Sequence, residues 1–175
     1  MARGPTTEDA LKAIKAIRES PEKYDLKKDL APFLAHKSNH VVAAAASTAR
    51  RLESSDLLGE LGNAFLSLMK DAPRLDPGCK ATVAIAEALA GMDLPSAQVY
   101  FSGIRHIQME GSFGPPVDAA APLRGICAQG LARMMHPDAL EECVTLLADA
   151  WVPARTGAIR AIGDSGRPEG LLLLR

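Results

Sequence analysis

The chain has 175 residues, of which 47% are hydrophobic and only 4% aromatic, so its core must be built from aliphatic side chains. Its 20 basic and 21 acidic residues leave a net charge of −1, which excludes a global electrostatic attraction to nucleic acid or to an anionic membrane. Three cysteines are too few for a disulfide framework, and no apolar run approaches the ~20 residues of a membrane helix. With no secretory signal among the first ten residues, these features predict a cytoplasmic protein.

Apolar residues recur at helical spacing along most of the chain, and the long alternating runs typical of strands are missing. The sequence therefore predicts an all-α fold. Thr6, with Asp9 three places later, is the predicted N-cap of the first helix, and Asp25 opens the second. We expect residues 6–36 to form an N-terminal capping hairpin, whose charged outer face closes the end of a stacked array.

Eight further helices are predicted after this hairpin, with one conspicuous interruption. Two glycines and two prolines within 110–116 exclude a continuous helix there. The first helix of each later pair is rich in Ala and Gly, and the second carries more Leu, Phe and Met, which lets successive pairs nest. The predicted starts are Ser38, Ser55 or Asp56, Asp76, Pro95, Asp118, Pro137, Pro153 and Glu169, and the helix from Pro95 is expected to reach Met109.

Two of these helices repeat each other in sequence. Residues 123–132 align with residues 154–163 at an offset of 31. A self-match at this spacing is typical of stacked helical repeats. The superposed pairs include Arg124 and Arg155, Gly125 and Thr156, and Leu131 and Ile162.

The segment 152–164, with its proline, arginine and regularly spaced alanines before Ile-Gly-Asp, resembles a HEAT repeat. It is most similar to the short bacterial HEAT-like repeats first grouped with phycobilisome lyases, and residues 123–132 are similar to a second copy. The resemblance implies an α-α superhelix of about five helical hairpins, with residues 38–175 forming the repeats of one continuous domain. Such repeats most often bind another macromolecule along a concave wall.

Enzymes with HEAT-like repeats provide a comparison for catalytic residues. Deoxyhypusine hydroxylases hold a di-iron centre with adjacent His-Glu pairs, and no His-Glu dipeptide occurs in this sequence. Alkylpurine DNA glycosylases need a basic groove with aromatic and Asp side chains, whereas this chain has one tryptophan and a balanced charge. The resemblance therefore implies a non-catalytic protein–protein interaction or scaffold module, with no metal, cofactor or catalytic residue. A nucleic-acid-binding enzyme of the DNA glycosylase kind is the alternative.

Polar residues flank the Gly/Pro interruption and form the main predicted binding site. A long irregular connection in a helical-repeat protein often carries binding residues, and these would bind a protein partner or a small effector of a regulator. His106 and Glu110 are four residues apart, so one helical face is expected to carry both. The other interpretation is internal scaffolding, with Arg124 holding loop carbonyls and Asp118. The candidates are Arg105, His106, Gln108, Glu110, Asp118 and Arg124.

Two further candidates lie around the start of the repeated helix near the C-terminus. Arg155 matches Arg124, so the two would form a ladder of positive charge along a binding wall, or each would pair with an acidic group of the neighbouring repeat. Trp151 would be either a surface contact for a partner or a cover for the hairpin junction.

The last leucines raise the question of self-association. Leu171, Leu172, Leu173 and Leu174 would form the bulky second helix of a final pair, where a terminal repeat normally has a polar face. We expect this edge to pack on a second copy of the chain, unless the chain is a piece of a longer solenoid.

Overall fold

A computed structural model describes residues 6–92, 96–111 and 113–173, with side chains as far as residue 170. These residues are predominantly helical, which confirms the all-α class. None of the described helices is long and apolar enough to cross a membrane. The α-helices are α1 (Thr7–Glu19), α2 (Leu26–Asp29), α3 (Asn39–Arg51), α4 (Leu58–Leu68), α5 (Ala72–Leu75), α6 (Lys80–Gly91), α7 (Ala97–Ile104), α8 (Ala121–Arg133), α9 (Ala139–Leu147), α10 (Val152–Asp164) and α11 (Pro168–Leu173).

Short elements connect the helices. Two strands of two residues each, β1 (Met109–Glu110) and β2 (Val117–Asp118), pair antiparallel with Met109 opposite Asp118.

The chain divides into two compact units, Met1–Ala88 and Leu89–Arg175, with the boundary inside α6. The 3₁₀ turns of the first unit are Pro21–Lys23, Ala31–Ala35, Ser55–Leu57, Met69–Asp71 and Pro77–Cys79.

The start of the first unit follows the predicted capping. The Thr6 side chain accepts a hydrogen bond from the Asp9 N–H at 3.2 Å, and the Asp9 carboxylate accepts one from the Thr6 N–H, which makes a capping box. Asp25 caps α2 as predicted. The second helix is shorter than expected because Pro32 has no N–H to donate, so the chain continues as the 3₁₀ turn Ala31–Ala35.

Asp76 organises the start of α6. Its carboxylate is fully buried and accepts hydrogen bonds from the N–H groups of Ala81 and Thr82, at 2.9 and 2.8 Å. The Asn39 amide, at the beginning of α3, donates to the same carboxylate at 2.9 Å. The helix predicted to begin at Pro77 starts instead at Lys80, after the 3₁₀ turn Pro77–Cys79, which Asp76 does not cap through its side chain. The Asp76 carboxylate bonds to the first turn of α6 and joins it to α3.

The second unit is built around the contact between α8 and α10, the two helices that the sequence repeat identifies. Gly125 and Gly157 meet where these helices come closest, and a Cβ built on Gly157 would lie 2.1 Å from the Gly125 Cα. The predicted self-association through Leu171 to Leu174 concerns side chains outside those that the structure describes.

A methyl group at this crossing should destabilise the second unit. Gly157→Ala has no room between the two backbones, so we expect the free energy of unfolding to fall by about 1–3 kcal/mol. Gly163→Ala is the matched control, because it lies in the same helix with nothing within 4 Å of the added Cβ. It should stabilise by about 0.5–1 kcal/mol through helix propensity. Chemical denaturation followed by circular dichroism measures both, and equal effects would contradict the packing described.

Candidate functional site

The polar residues after α7 lie on an extended segment rather than on a helix. The predicted helix from Pro95 to Met109 is too long, because α7 ends at Ile104. The expectation that His106 and Glu110 share a helical face is therefore wrong. The cause is a competing acceptor: the Gln108 N–H, which would bond to Ile104 in a helix, donates to the Asp118 carboxylate at 3.0 Å.

Asp118 closes the hairpin formed by residues 106–120. Its Oδ1 accepts the N–H of Gln108 and the N–H of Ala120, each at 3.0 Å. The Gln108 carbonyl accepts the Ala119 N–H at 2.9 Å, which completes the pairing of the two chain segments. One buried carboxylate thus fixes the base of the hairpin and the entry into α8.

Arg124 stabilises the base of the hairpin. Its side chain is only 4% exposed, and its Nε and Nη2 donate to the two carboxylate oxygens of Asp149 at 2.8 and 3.1 Å. Its Nη1 lies 2.7 Å from Asp118 Oδ2 and donates to the His106 carbonyl at 2.7 Å. A single guanidinium in α8 therefore joins both sides of the hairpin to the loop before α10. The contacts are those of the scaffolding interpretation.

The charges of this network stabilise one another. Burial disfavours the charged form of Arg124, but hydrogen bonds to Asp149 and Asp118 outweigh it and raise the pKa of the guanidinium. Burial likewise disfavours ionised Asp118, but hydrogen bonds from the Gln108 N–H, Arg124 and the Ala120 N–H outweigh it and lower the pKa of the carboxyl. The ion pairs therefore remain charged at neutral pH.

Asp149 connects the network to the remaining candidates. Its Oδ1 accepts the Trp151 N–H at 2.8 Å, just before α10 begins. Arg155 donates from Nη1 to the carbonyls of Asp149 and Ala150, at 2.7 and 2.9 Å. Trp151 and Arg155 are both half-buried. The two repeat-matched arginines thus converge on one loop, Arg124 through a carboxylate and Arg155 through carbonyl groups.

Arg105 lies outside this network. It is exposed, forms an ion pair with Glu142, and places its guanidinium 5.2 Å from the centre of the Phe101 ring. Its partners are therefore on α7 and α9, and it does not join the other polar candidates.

The extended segment 106–110 has its polar side chains inward and its apolar side chains outward. Gln108 is 2% exposed, bonds to the His106 ring at 3.0 Å and donates to the Glu110 carboxylate at 2.6 Å. Ile107 and Met109, on the opposite side, are 66% and 53% exposed. This is the reverse of the alternation by which a strand buries its apolar side.

Two further apolar residues of the hairpin are exposed. Phe113 is fully exposed at the tip, and Val117 is half-exposed in β2, where it lies opposite Glu110 rather than Met109. We call the exposed apolar residues Ile107, Met109 and Phe113 together the hairpin face.

Two parts of the site were missed at the level of the sequence. Asp149 supplies the acidic partner that was expected for a repeat arginine but was not identified. Its position two residues before the helix-opening Trp151 is a usable signal, because aspartate often bonds to the N–H two places on. Ile107 and Met109 were missed because they were assigned to the helix expected to run from Pro95 to Met109. Phe113 lies in the predicted Gly/Pro interruption, where only the flanking polar residues were taken as candidates.

The three cysteines are buried, and burial raises the pKa of the Cys127 and Cys143 thiols, that of Cys143 to about 11. Within the described ranges no group of three His, Cys, Asp or Glu side chains is placed to hold a metal ion.

Comparison with protein-family models, curated proteins and solved structures finds no match for the chain.

Removal of the arginine should destabilise the second unit strongly. Arg124→Met leaves Asp118 buried without its cation, so we expect a loss of about 3–5 kcal/mol in the free energy of unfolding. Asp118→Asn in the same chain should recover part of that loss. The matched control, Arg155→Met, removes only bonds to carbonyls and should cost about 1–2 kcal/mol. Equal losses for the two arginine variants in chemical denaturation would contradict the assignment.

Acid should remove the contribution of Asp118. Its pKa is lower in the folded chain, so its stabilisation is complete above the unfolded value of about 4 and is lost as the pH falls through the folded value. The stability difference between the protein and Asp118→Asn should therefore narrow as the pH falls below about 4. Denaturation curves from pH 7 to pH 3 measure this, with Asp164→Asn at an exposed position as control. A constant difference would show that the Asp118 charge contributes nothing.

Proposed function

We propose that the protein is a non-catalytic protein–protein interaction module whose partner binds the hairpin face. The observation that supports this most is the reversed alternation of residues 106–110, with Gln108 inside and Ile107 and Met109 outside. Exposed apolar residues grouped on one element are typical of interaction surfaces. A partner with an apolar patch would bury them and leave the internal hydrogen bonds unchanged.

The support beneath this face favours binding. Arg124 and Asp118 fix the two sides of the hairpin before any partner arrives, so little backbone entropy is lost on association. The hairpin is held by a buried ion pair, and burying charges costs free energy. Its position outside the helices suits a recognition element, because binding residues often lie on such connections.

We further propose that the chain is a HEAT-like helical-repeat protein, in which this hairpin is an insertion on the binding side. Support comes from the second unit, where α8 and α10 carry the sequence repeat and pack on each other through Gly125 and Gly157. Helix α9 contacts both of them, as the second helix of a repeat does. Insertions in such arrays often gather on one binding face.

A small anionic effector fits the same residues less well. The guanidinium of Arg124 is 4% exposed, forms ion pairs with two carboxylates and donates to a carbonyl, so an anion would have to displace these groups. Removing one partner of a buried ion pair costs about 3–5 kcal/mol. The protein-binding role therefore has the better support.

The proposal is tested by making the hairpin face polar. Met109→Ser combined with Phe113→Ser changes only exposed side chains, so the fold should be retained. Val144→Ser combined with Ile159→Ser is the matched control, because both are exposed apolar positions in α9 and α10. A protein retained from an extract of the producing cell by the unaltered chain and the control, and lost with the hairpin variant, is the expected partner.

Calorimetry with that purified partner gives the magnitude. Loss of two central apolar contacts should weaken binding by at least about thirtyfold. Equal binding by the hairpin variant and the unaltered chain, or a loss confined to the control variant, would overturn the proposal.

A further inference from the structure

The first unit contains an open cavity of about 470 Å³, and no residue of the hairpin face lines it. It lies between the 3₁₀ turn Ala31–Ala35 and helices α3, α4 and α5. This volume falls in the range of about 300–1,000 Å³ that small-molecule sites occupy. The cavity is therefore large enough for a small organic ligand.

The walls of the cavity are mostly aliphatic. Leu34 and Val42 are buried beside it, and Leu68 and Leu75 close it from α4 and α5. Three alanines, from the 3₁₀ turn and from α4, leave the space open, because a leucine at any of them would occupy part of it. They are Ala31, Ala35 and Ala64.

The polar groups at the mouth carry an unbalanced positive charge. Glu60 borders the cavity, but its carboxylate lies 3.6 Å from the Lys27 ammonium, which offsets its charge. Lys37 also borders the cavity, is exposed, and forms no ion pair within the part of the chain that the structure describes.

A second hydrogen-bond donor stands next to this lysine. The ring Nδ1 of His36 accepts the Ser38 N–H at 3.0 Å, so the neutral imidazole carries its proton on Nε2. His36 lines the cavity, and its Nε2–H adds a donor beside the Lys37 ammonium. An ammonium and an N–H together favour a carboxylate over a cation or a neutral group.

We infer that this cavity binds a small monocarboxylate with an apolar body, such as a medium-chain fatty acid. The aliphatic tail lies against Leu34, Val42 and Leu68, and the carboxylate faces Lys37 and His36. The apolar burial supplies most of the affinity, and the ion pair at the exposed mouth sets the preference for an anion.

Titration of the whole protein with octanoate, octylammonium and octanol tests the inference. Amide chemical shifts should show saturable binding of one octanoate, with the largest changes around residues 31–37 and 60–68. Octanoate should bind more tightly than the two other probes, by up to about fivefold over octanol, which is the upper end of the effect of one exposed charge pair. Octylammonium binding as tightly as octanoate would overturn the inference, as would no saturable binding of octanoate.

Variants distinguish the contribution of the Lys37 charge to binding from that of the cavity volume. Lys37→Gln should weaken octanoate binding about fivefold and leave octanol binding unchanged, whereas Lys70→Gln, an exposed lysine that does not line the cavity, should change neither. Ala64→Leu fills the cavity and should abolish binding of all probes. Ala35→Leu, at an exposed position on the turn, provides the same test if Ala64→Leu fails to fold. Undiminished octanoate binding by a folded cavity-filling variant would place the ligand elsewhere and overturn the inference.

Discussion

The ion pairs between Arg124 and the carboxylates of Asp118 and Asp149 hold the non-helical segments of the second unit in place. These segments are the hairpin and the loop before α10. A buried guanidinium is costly unless its charge is paired and hydrogen-bonded. Here Asp149 and the His106 carbonyl accept its hydrogen bonds, and Asp118 and Asp149 form the ion pairs. These acceptors belong to the hairpin and to the loop before α10. The charge of Arg124 is therefore compensated only while both segments keep their observed positions. The hairpin is therefore part of the packed unit rather than a loose connection.

That requirement explains why the exposed side of the hairpin is apolar. The polar side chains of residues 106–110 are used inside, where Gln108 bonds to His106 and Glu110. The alternation of an extended chain then directs Ile107 and Met109 to solvent. A surface of this kind suits a protein partner, whereas the cavity of the first unit suits a small amphipathic anion. The two proposed binding surfaces therefore differ in chemistry.

Much of the helical framework is readable from the sequence, because caps and periodicity are local. Thr6 begins α1 as predicted, and the repeat identifies α8 and α10 as related helices. The errors arise where a distant group decides the outcome. Asp118 accepts the Gln108 N–H, which a helix would pair with the Ile104 carbonyl, so the chain leaves the helix there. The cavity depends on side chains from four elements, so no local pattern indicates it.

Hydrogen exchange of two backbone amides tests the central claim most directly. The N–H groups of Gln108 and Ala120 both donate to Asp118 Oδ1, and Arg124 holds that carboxylate in place. If the ion pairs fix the hairpin, these amides should exchange as slowly as those in the middle of α8, since they open only when the unit unfolds. Exchange at the rate of an open loop, with α8 still protected, would show that the hairpin moves independently of Arg124 and would contradict the account.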